Sequence, residues 1–410
     1  MSINWNKLFR FSNQRRNRLI GSLNFLILAI AFEASAGSLI TEDIISGNFV
    51  TVNNYYGQYS KIDKIPGVPS PELEGPIAEQ LTAPNVSPKN ARLAVFLPHI
   101  KDPYWVTVQH GVWAEALKLG ITTEFYEAGG YLKLGTQVRQ LEYVMDKGDI
   151  DGVLIGPVQY GTPYLNEIYD ALEERGIPIV ALCIDTRHSA IDAKAMVPWF
   201  EMGFAAGKYV AEHSAGRRVK VAVLPGPKGL GWVEASYNGI VAALEEFGAK
   251  ERVEIIGPSY GDTGDRVQRF RIGLIVKEHT NIDYLIGNAL AAMAAIRPGP
   301  DGAPPALQGW KEKHPNLKIV STYVTPEVFE AIGTGEVLAA STDLMKYQGI
   351  IAVNMMARIL NGEQPGDKNS AFPFRSGPVV RLITTQNVAH WDYDRLFAPK
   401  GYLPYIQTFE

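Results

Sequence analysis

The sequence predicts an α/β protein with two lobes, each a parallel β-sheet flanked by helices. Short apolar strands alternate with amphipathic helices from Arg92 onward, and this alternation requires parallel strands joined by right-handed crossovers. The pattern restarts midway along the chain, and each half has a Gly-Pro pair after a strand, at Gly156-Pro157 and Gly226-Pro227. We therefore expect two similar halves that face each other across a crevice.

The elements are predicted from the period of the apolar residues and from the turn residues between them. In the first half we expect strands at 92–98, 122–126, 152–156 and 179–182 and helices at 104–119, 135–147 and 164–175. In the second half we expect helices at 200–213, 233–247, 265–279 and 289–296 and strands at 220–224, 253–256 and 284–286. After a Pro- and Gly-rich loop at 297–309 come strands at 318–323 and 338–341 and helices at 326–333 and 348–360.

The N-terminus has the pattern of an export signal. Basic residues between Lys7 and Arg18 precede an apolar run from Leu19 to Phe32, and Ala34-Ser-Ala supplies the small residues of a cleavage site. The alternative is an uncleaved anchor, but the run is well short of the ~20 residues that span a bilayer. We expect residues 1–36 to be a cleaved signal peptide, with no membrane insertion afterwards.

An N-terminal extension, residues 37–90, separates this signal from the first predicted sheet. Its segment Phe49-Val-Thr-Val-Asn can form one strand. Residues 64–89 contain six prolines, which predicts an arm or linker without regular structure.

Composition argues against several classes of partner. The chain has 410 residues, of which 46% are apolar and 20% charged, as in ordinary globular proteins with hydrophobic cores. The net charge is −4, and no Lys/Arg-rich run occurs beyond the N-terminus, so nucleic acid is not an expected partner. Cys183 is the only cysteine, which excludes an intramolecular disulfide.

The sequence shows no pattern typical of catalysis. The Gly cluster from Gly226 to Gly231 lacks the spacing of a dinucleotide fingerprint and the Lys-Ser/Thr of a phosphate loop. No histidine pair has the helical spacing of metal ligands, and no Gly-x-Ser-x-Gly motif occurs. We expect a protein without enzymatic activity, cofactor or metal, although a dispersed catalytic triad stays open as an alternative.

Aromatic side chains recur at the predicted strand ends. Tyr104 and Trp105 follow the first strand, Tyr131 the second, Trp199 the junction of the halves and Tyr323 a later strand. The carboxyl ends of parallel strands open onto the crevice, so these rings face a common place. Convergent ring faces can surround a quaternary-ammonium-like cation. The alternatives for each ring are core packing and stacking on a sugar, and for Tyr104 and Trp105 also simple covering of the sheet edge.

Two aspartates accompany the rings at the strand ends. Asp102 precedes Pro103, and Asp343 follows the strand that contains Ser341. Each carboxylate can add negative charge or accept hydrogen bonds from a ligand. The alternative is cap and turn chemistry, because Asp102 is placed to cap the first helix. The candidate ligand-binding residues are therefore Asp102, Tyr104, Trp105, Tyr131, Trp199, Tyr323 and Asp343.

From Arg92 to about Gly362 the chain resembles the type I periplasmic binding proteins of the ribose-binding kind. The similar segments are Gln137, Asp151-Gly-Val-Leu-Ile, Gly176-Ile-Pro-Ile-Val and the helix that contains Gly349. A narrower resemblance, to periplasmic sensors of trimethylamine N-oxide, rests on Lys101-Asp-Pro-Tyr-Trp, Glu127-Ala-Gly-Gly-Tyr, Val197-Pro-Trp-Phe-Glu-Met-Gly, Pro225-Gly-Pro, Ala339-Ala-Ser-Thr-Asp-Leu-Met and Ala398-Pro-Lys-Gly-Tyr-Leu-Pro-Tyr. The chain departs from those sensors in the 37–90 extension and in an inserted loop at 297–314.

This resemblance implies a periplasmic protein that closes on trimethylamine N-oxide and signals to the periplasmic sensor domain of a membrane histidine kinase. Trp105, Tyr131 and Trp199 would form the cage around the methylated nitrogen, with Tyr104 and Tyr323 as walls or donors. Asp102 and Asp343 would be supporting polar groups.

The resemblance also implies three crossings between the lobes, near Met196, Tyr323 and Thr342. Residues 91–196 and 324–342 would form the first lobe, and residues 197–323 and 343–410 the second lobe with the C-terminal tail.

The rival function in the same fold is the sugar-binding component of an ABC importer. Trp105 and Trp199 would then stack on pyranose faces. Sugar sites of that kind need several Asp, Asn and Arg side chains at the strand ends, where this chain has Tyr and Trp.

Overall fold

Two β-sheets organise the part of the chain that the computed structural model describes, namely residues 50–58, 66–84, 87–248 and 251–408. The predicted signal peptide lies outside the described residues. The strands are β1 Thr51–Tyr56, β2 Glu74–Gln80, β3 Arg92–Leu97, β4 Thr122–Glu127, β5 Gly152–Ile155, β6 Ile179–Leu182, β7 Ile191–Ala195, β8 Val219–Leu224, β9 Val253–Ile256, β10 Tyr284–Gly287, β11 Lys318–Ser321, β12 Ala339–Thr342, β13 Arg375–Pro378 and β14 Arg381–Thr384.

The helices lie between the strands, as the alternation predicts. They are α1 Pro103–Lys118, α2 Leu134–Lys147, α3 Pro163–Glu174, α4 Trp199–His213, α5 Trp232–Phe247, α6 Asp265–Glu278, α7 Ala289–Ile296, α8 Pro326–Gly333, α9 Met345–Leu360 and α10 Tyr393–Leu396. In the described part of the chain, no helix is both long enough and apolar enough to cross a membrane.

The first sheet has the order β2-β1-β13-β7-β6-β5-β3-β4, and the second has the order β14-β12-β11-β10-β8-β9. The inner strands of both sheets are parallel and almost wholly buried, as expected for strands covered by helices on both faces. We call the first sheet with its helices the first lobe, and the second sheet with its helices the second lobe. The predicted two-lobed α/β fold is confirmed.

The N-terminal extension contributes an antiparallel pair of strands to the first sheet. β1 pairs with β13 on one side and with β2 on the other. Residues 64–89 were expected to lack regular structure, yet β2 lies within them. β2 is an edge strand, and a proline such as Pro76 is tolerated there because an edge strand leaves one row of backbone donors unpaired.

The sheets divide the chain differently from the expected lobes. β11 and β12 are neighbours in the second sheet, so the chain does not cross near Tyr323, and residues 339–342 belong to the second lobe. α9 packs against α1 and β6, and β13 pairs with β7, so both elements belong to the first lobe. The physical reason is that α9 is buried around most of its circumference and fills the space over the first sheet. The chain therefore crosses between β7 and α4, between β12 and α9, and between β13 and β14.

Candidate functional site

The first part of the site is built at the start of α1. Asp102 is the N-cap residue, and its Oδ1 accepts a hydrogen bond from the backbone N–H of Tyr104 at 2.9 Å. Pro103 occupies the first helical position. The cap role predicted for Asp102 is therefore confirmed, and it fixes Tyr104 and Trp105 in the first turn, where both are buried.

Each of the two aspartates accepts a hydrogen bond from a tyrosine hydroxyl. The Tyr323 hydroxyl donates to Asp102 Oδ2 at 2.8 Å, and the Tyr104 hydroxyl donates to Asp343 Oδ2 at 2.7 Å. Gln348 Nε2 also donates to Asp343 Oδ2, at 2.6 Å. Both carboxyl groups are thereby held beside the aromatic rings.

The five aromatic residues predicted at the strand ends meet in one cluster. Ring centroids lie 5.4 Å apart for Tyr104 and Trp105, 5.6 Å for Tyr104 and Tyr323, and 6.1 Å for Tyr104 and Trp199. The Trp105 indole N–H donates to the Tyr131 hydroxyl at 3.2 Å, which joins Tyr131 to the same group.

Trp232 completes the cluster and is absent from the residues predicted from sequence. Its ring centroid lies 5.1 Å from that of Trp199 and 6.1 Å from that of Tyr131, so it closes the ring of aromatics on the second-lobe side. The signal that could have found it is its position: it opens α5 after β8, the first strand of the second lobe, as Trp105 lies near the start of α1 after β3. We name Tyr104, Trp105, Tyr131, Trp199, Trp232 and Tyr323 the aromatic cage.

The two Gly-Pro turns seat the cage tryptophans. A Cβ added to Gly156 would lie 2.8 Å from the Trp105 ring, and one added to Gly226 would lie 3.0 Å from the Trp232 ring. Gln137 braces the first of these turns, since its Nε2 donates to the Gly156 carbonyl at 3.0 Å and its Oε1 accepts from Val158 N–H at 2.9 Å. The sequence repeat of Gly-Pro therefore has a structural reason in each lobe.

The site is closed over by both lobes. The six cage residues and the two aspartates are no more than 7% exposed. Burial raises the pKa of Asp102 and of Asp343 to about 6, and it raises the pKa of the Tyr104 and Tyr323 hydroxyls well above their usual range. At pH 7 both carboxyl groups are therefore mainly ionised, whereas the two tyrosine hydroxyls stay neutral and donate hydrogen bonds to them.

The negative charge of the site has no protein counter-ion among the described residues. Asp102 and Asp343 form no salt bridge there, in contrast to Asp185, whose Oδ1 lies 2.7 Å from Lys194 Nζ. A buried carboxylate without a counter-ion is costly unless a cation arrives. The arrangement therefore suits a cationic or zwitterionic ligand.

Several buried polar atoms of the site have no hydrogen-bond partner among the described residues. They are Asp343 Oδ1, Trp232 Nε1 and both ring nitrogens of His99. His99 packs edge-on against Tyr131 with ring centroids 4.9 Å apart, and burial, aided by the charge of Lys101, lowers its pKa to about 4. A neutral imidazole has one N–H and one acceptor nitrogen, so the site holds two unused donors and two unused acceptors, which a polar ligand can satisfy.

The described residues contain no group of three or more His, Cys, Asp or Glu side chains placed to hold a metal ion. What the buried side chains of the site offer instead is ring faces, two carboxyl groups and N–H donors without a partner among the described residues. Ring faces and buried carboxyl groups in this arrangement are chemically suited to a small organic cation or zwitterion.

Residues 93–364 match the periplasmic binding protein domain family, and the chain belongs to this family. Among curated proteins it is similar to the periplasmic protein TorT of Escherichia coli K12, with 27% identity over 325 residues, 79% of this chain and 87% of TorT. TorT of Escherichia coli O157:H7 is 28% identical over 313 residues, 76% of this chain and 83% of that protein. The chain is a TorT-like periplasmic binding protein, and its relatives are binding proteins rather than enzymes.

Two solved structures extend the comparison. One is the TorS sensor domain–TorT complex in the presence of trimethylamine N-oxide (TMAO). The matched chain of that structure is 25% identical to this one, with a TM-score of 0.64, and the match covers 78% of this chain and 100% of that chain. An ABC transporter solute-binding protein from Bradyrhizobium sp. BTAi1 with bound Bis-Tris is 28% identical, with a TM-score of 0.69, over 88% of this chain and 98% of that chain. The fold and the family are thus supported independently of the site chemistry.

Proposed function

We propose that the protein binds trimethylamine N-oxide in the aromatic cage and signals its presence to a TorS-like membrane histidine kinase. The single observation that carries the proposal is the convergence of rings from both lobes around two buried carboxyl groups that have no counter-ion among the described residues. The similarity to TorT supports the ligand and the partner.

The chemistry of the ligand matches that of the cage. Trimethylamine N-oxide has a positive nitrogen shielded by methyl groups, and a negative oxygen. The negative faces of Trp105, Tyr131 and Trp199 attract the methylated nitrogen, and each desolvated ring contributes ~1–2 kcal/mol. The oxygen requires a hydrogen-bond donor, and the cage contains the Trp232 N–H, which has no partner among the described residues.

The size of the ligand sets a ceiling on the affinity. With about five heavy atoms at ~1.5 kcal/mol each, the binding free energy cannot much exceed ~7.5 kcal/mol. This corresponds to a dissociation constant of a few micromolar. We expect binding in the micromolar to sub-millimolar range.

The proposed signal is the closure of the two lobes. The bond from the Tyr323 hydroxyl to Asp102 joins the lobes at the cage, so a ligand held by both lobes favours the closed form. A kinase sensor domain that binds the closed form more tightly would then respond to the ligand.

The test of this coupling is calorimetry of the purified protein with the periplasmic domain of a TorS-like kinase, with and without trimethylamine N-oxide. Linkage requires the kinase domain to change ligand affinity by the same factor by which the ligand changes kinase affinity. Identical ligand affinities with and without a bound kinase domain would remove the signalling role.

The location proposed for the mature protein is the periplasm. The predicted signal sequence and the periplasmic relatives support it. N-terminal sequencing of the exported protein should give Gly37 as the first residue, whereas an intact N-terminus would contradict cleavage.

A second candidate is the solute-binding component of an ABC importer, which the similarity to the Bradyrhizobium protein favours. Such a component would bind its ligand without any effect on a kinase domain. Thermal-shift measurements with trimethylamine N-oxide, betaine, choline and common sugars distinguish a sugar-importer component from the proposed sensor. Only the sugar-importer component should be stabilised by sugars.

A further inference from the structure

The three tryptophans of the aromatic cage differ in the use of their indole N–H groups. The Trp105 N–H donates to the Tyr131 hydroxyl at 3.2 Å, and the Trp199 N–H donates to the Cys183 carbonyl at 3.1 Å. Trp232 is equally buried, yet its N–H has no partner among the described residues. A buried donor without a partner is costly, so this N–H is available to a ligand.

The contacts of Trp232 and Asp343 indicate how a ligand with a negative oxygen would be oriented in the aromatic cage. The Trp232 ring contacts Tyr131 and Trp199, whereas Asp343 accepts a hydrogen bond from Tyr104, whose ring contacts Trp199. A negative ligand oxygen is repelled by the carboxylate of Asp343 and attracted by the unpartnered indole N–H of Trp232. His99, which packs against Tyr131, adds no negative charge beside Trp232, whereas Asp102 and Asp262 lie close enough to Tyr131 to add to the effect of burial, which raises the pKa of its hydroxyl.

We propose that Trp232 is a specificity-determining residue, whose indole N–H donates a hydrogen bond to the negative oxygen of the ligand. This rests on the proposed cage function and extends it: the site selects amine oxides over methylated ammonium ions of the same shape that lack the oxygen. Trp105 and Trp199 supply ring faces to both kinds of ligand, because their N–H groups are already used.

The test compares trimethylamine N-oxide with tetramethylammonium, a permanent cation of similar size without an oxygen, by calorimetry. In Trp232→Phe the ring face is kept and the N–H is lost. Affinity for trimethylamine N-oxide should fall about ten- to a hundredfold, since a hydrogen bond to a charged group is lost. Affinity for tetramethylammonium should change by less than about threefold.

Trp199→Phe is the matched control, because its N–H serves the protein rather than the ligand. It should lower the affinities for both ligands by similar factors and leave their ratio unchanged. The assignment of the donor to Trp232 would be overturned if Trp232→Phe kept the parent's ratio of affinities for trimethylamine N-oxide and tetramethylammonium. It would also be overturned if only Tyr131→Phe lowered that ratio. If the unaltered protein binds neither ligand, the proposed function fails as well.

A second measurement keeps the inference testable should Trp232→Phe fail to fold. In the unaltered protein labelled with 15N-tryptophan, one indole N–H resonance should shift strongly on addition of trimethylamine N-oxide and much less on addition of tetramethylammonium. Equal shifts of all indole resonances with both ligands would contradict the proposal.

Discussion

The hydroxyl of Tyr323 lies 2.8 Å from Oδ2 of Asp102 and donates a hydrogen bond to it. Tyr323 follows β11 of the second lobe, and Asp102 caps α1 of the first lobe. The bond therefore joins the lobes inside the aromatic cage, where both side chains are buried. It makes the shape of the cleft dependent on the same residues that would contact a ligand.

Tyr323→Phe should weaken ligand binding by about tenfold, because the buried Asp102 oxygen loses its donor while the ring face stays. Calorimetry measures the affinity, and small-angle X-ray scattering should show a larger radius of gyration at the same ligand concentration. Tyr284→Phe is the control, since its hydroxyl contacts His213 Nδ1 at 2.8 Å within the second lobe and should not affect affinity. An unchanged affinity in Tyr323→Phe would contradict the role of this bond in closure.

Alanine substitutions in the cage should weaken binding of trimethylamine N-oxide. Trp105→Ala and Tyr131→Ala should each cost roughly tenfold or more, and Trp199→Ala more than Trp199→Phe, because the larger truncation also admits water. Trp310→Ala, which removes a partly buried tryptophan packed near His314, is the control and should bind as the parent does. If all three cage variants fold and bind like the parent, the sugar-binding interpretation takes first place.

Ligand affinity should depend on pH through the two buried carboxyl groups. Burial raises the pKa of Asp102 and Asp343 to about 6, so both are mainly neutral at pH 5 and mainly ionised at pH 7.5. A cation favours the ionised forms, and its affinity must therefore rise with pH through this window. Titration with tetramethylammonium, whose charge is independent of pH, should give several-fold weaker binding at pH 5.

Asp343→Asn is the control for this pH dependence. It should weaken binding of tetramethylammonium at pH 7.5 and flatten the dependence, because one of the two titrating carboxyl groups is gone. His99, with its pKa lowered to about 4, stays neutral over the same range. A parent affinity that is constant from pH 5 to pH 7.5 would show that the carboxyl groups do not face the ligand.

The C-terminal tail also connects the two lobes, and its attachment can be tested. Tyr393 and Phe397 pack against Phe329 of α8, after which the tail reaches the buried Gln109 of α1. Gln109 Nε2 donates to the Tyr405 carbonyl at 2.8 Å, and Gln109 Oε1 accepts from the Tyr402 hydroxyl at 3.1 Å.

Gln109→Leu should lower the free energy of unfolding by ~1–3 kcal/mol, because two tail groups lose their partner. Urea denaturation measures the change. Gln386→Leu, at an exposed position, should stay within ~0.5 kcal/mol of the parent. Equal denaturation midpoints for Gln109→Leu and the parent would show that the tail is not held by this residue.

The sequence predicts the strand–helix alternation and the residues at the strand ends well, because both follow from local patterns. Trp105 and Tyr131 could be placed at the cleft since parallel strands share an edge. Trp232 is absent from the predicted residues, because it follows the Gly226–Gly231 cluster, which we compared only with nucleotide-binding motifs. A comparison of the two halves would have predicted it, because Trp232 follows the first strand of the second half as Trp105 follows the first strand of the first half.

The assignment of segments to lobes could not be predicted from local patterns. β13 has the sequence Arg-Ser-Gly-Pro, which has no apolar period, and its place beside β7 is set by pairing with distant strands. β7 is absent from the predicted strands for a related reason: it contains Lys194, which is buried with its Nζ 2.7 Å from Asp185 Oδ1. Non-local pairing and a buried ion pair leave no periodic trace in the sequence.

The most direct measurement is a calorimetric titration of the purified mature protein with trimethylamine N-oxide, with ribose and glucose titrated in parallel. We predict one saturable site for trimethylamine N-oxide with a dissociation constant in the micromolar to sub-millimolar range, and no heat of binding for the sugars. Saturable binding of a sugar, with no binding of trimethylamine N-oxide up to millimolar concentrations, would contradict the account.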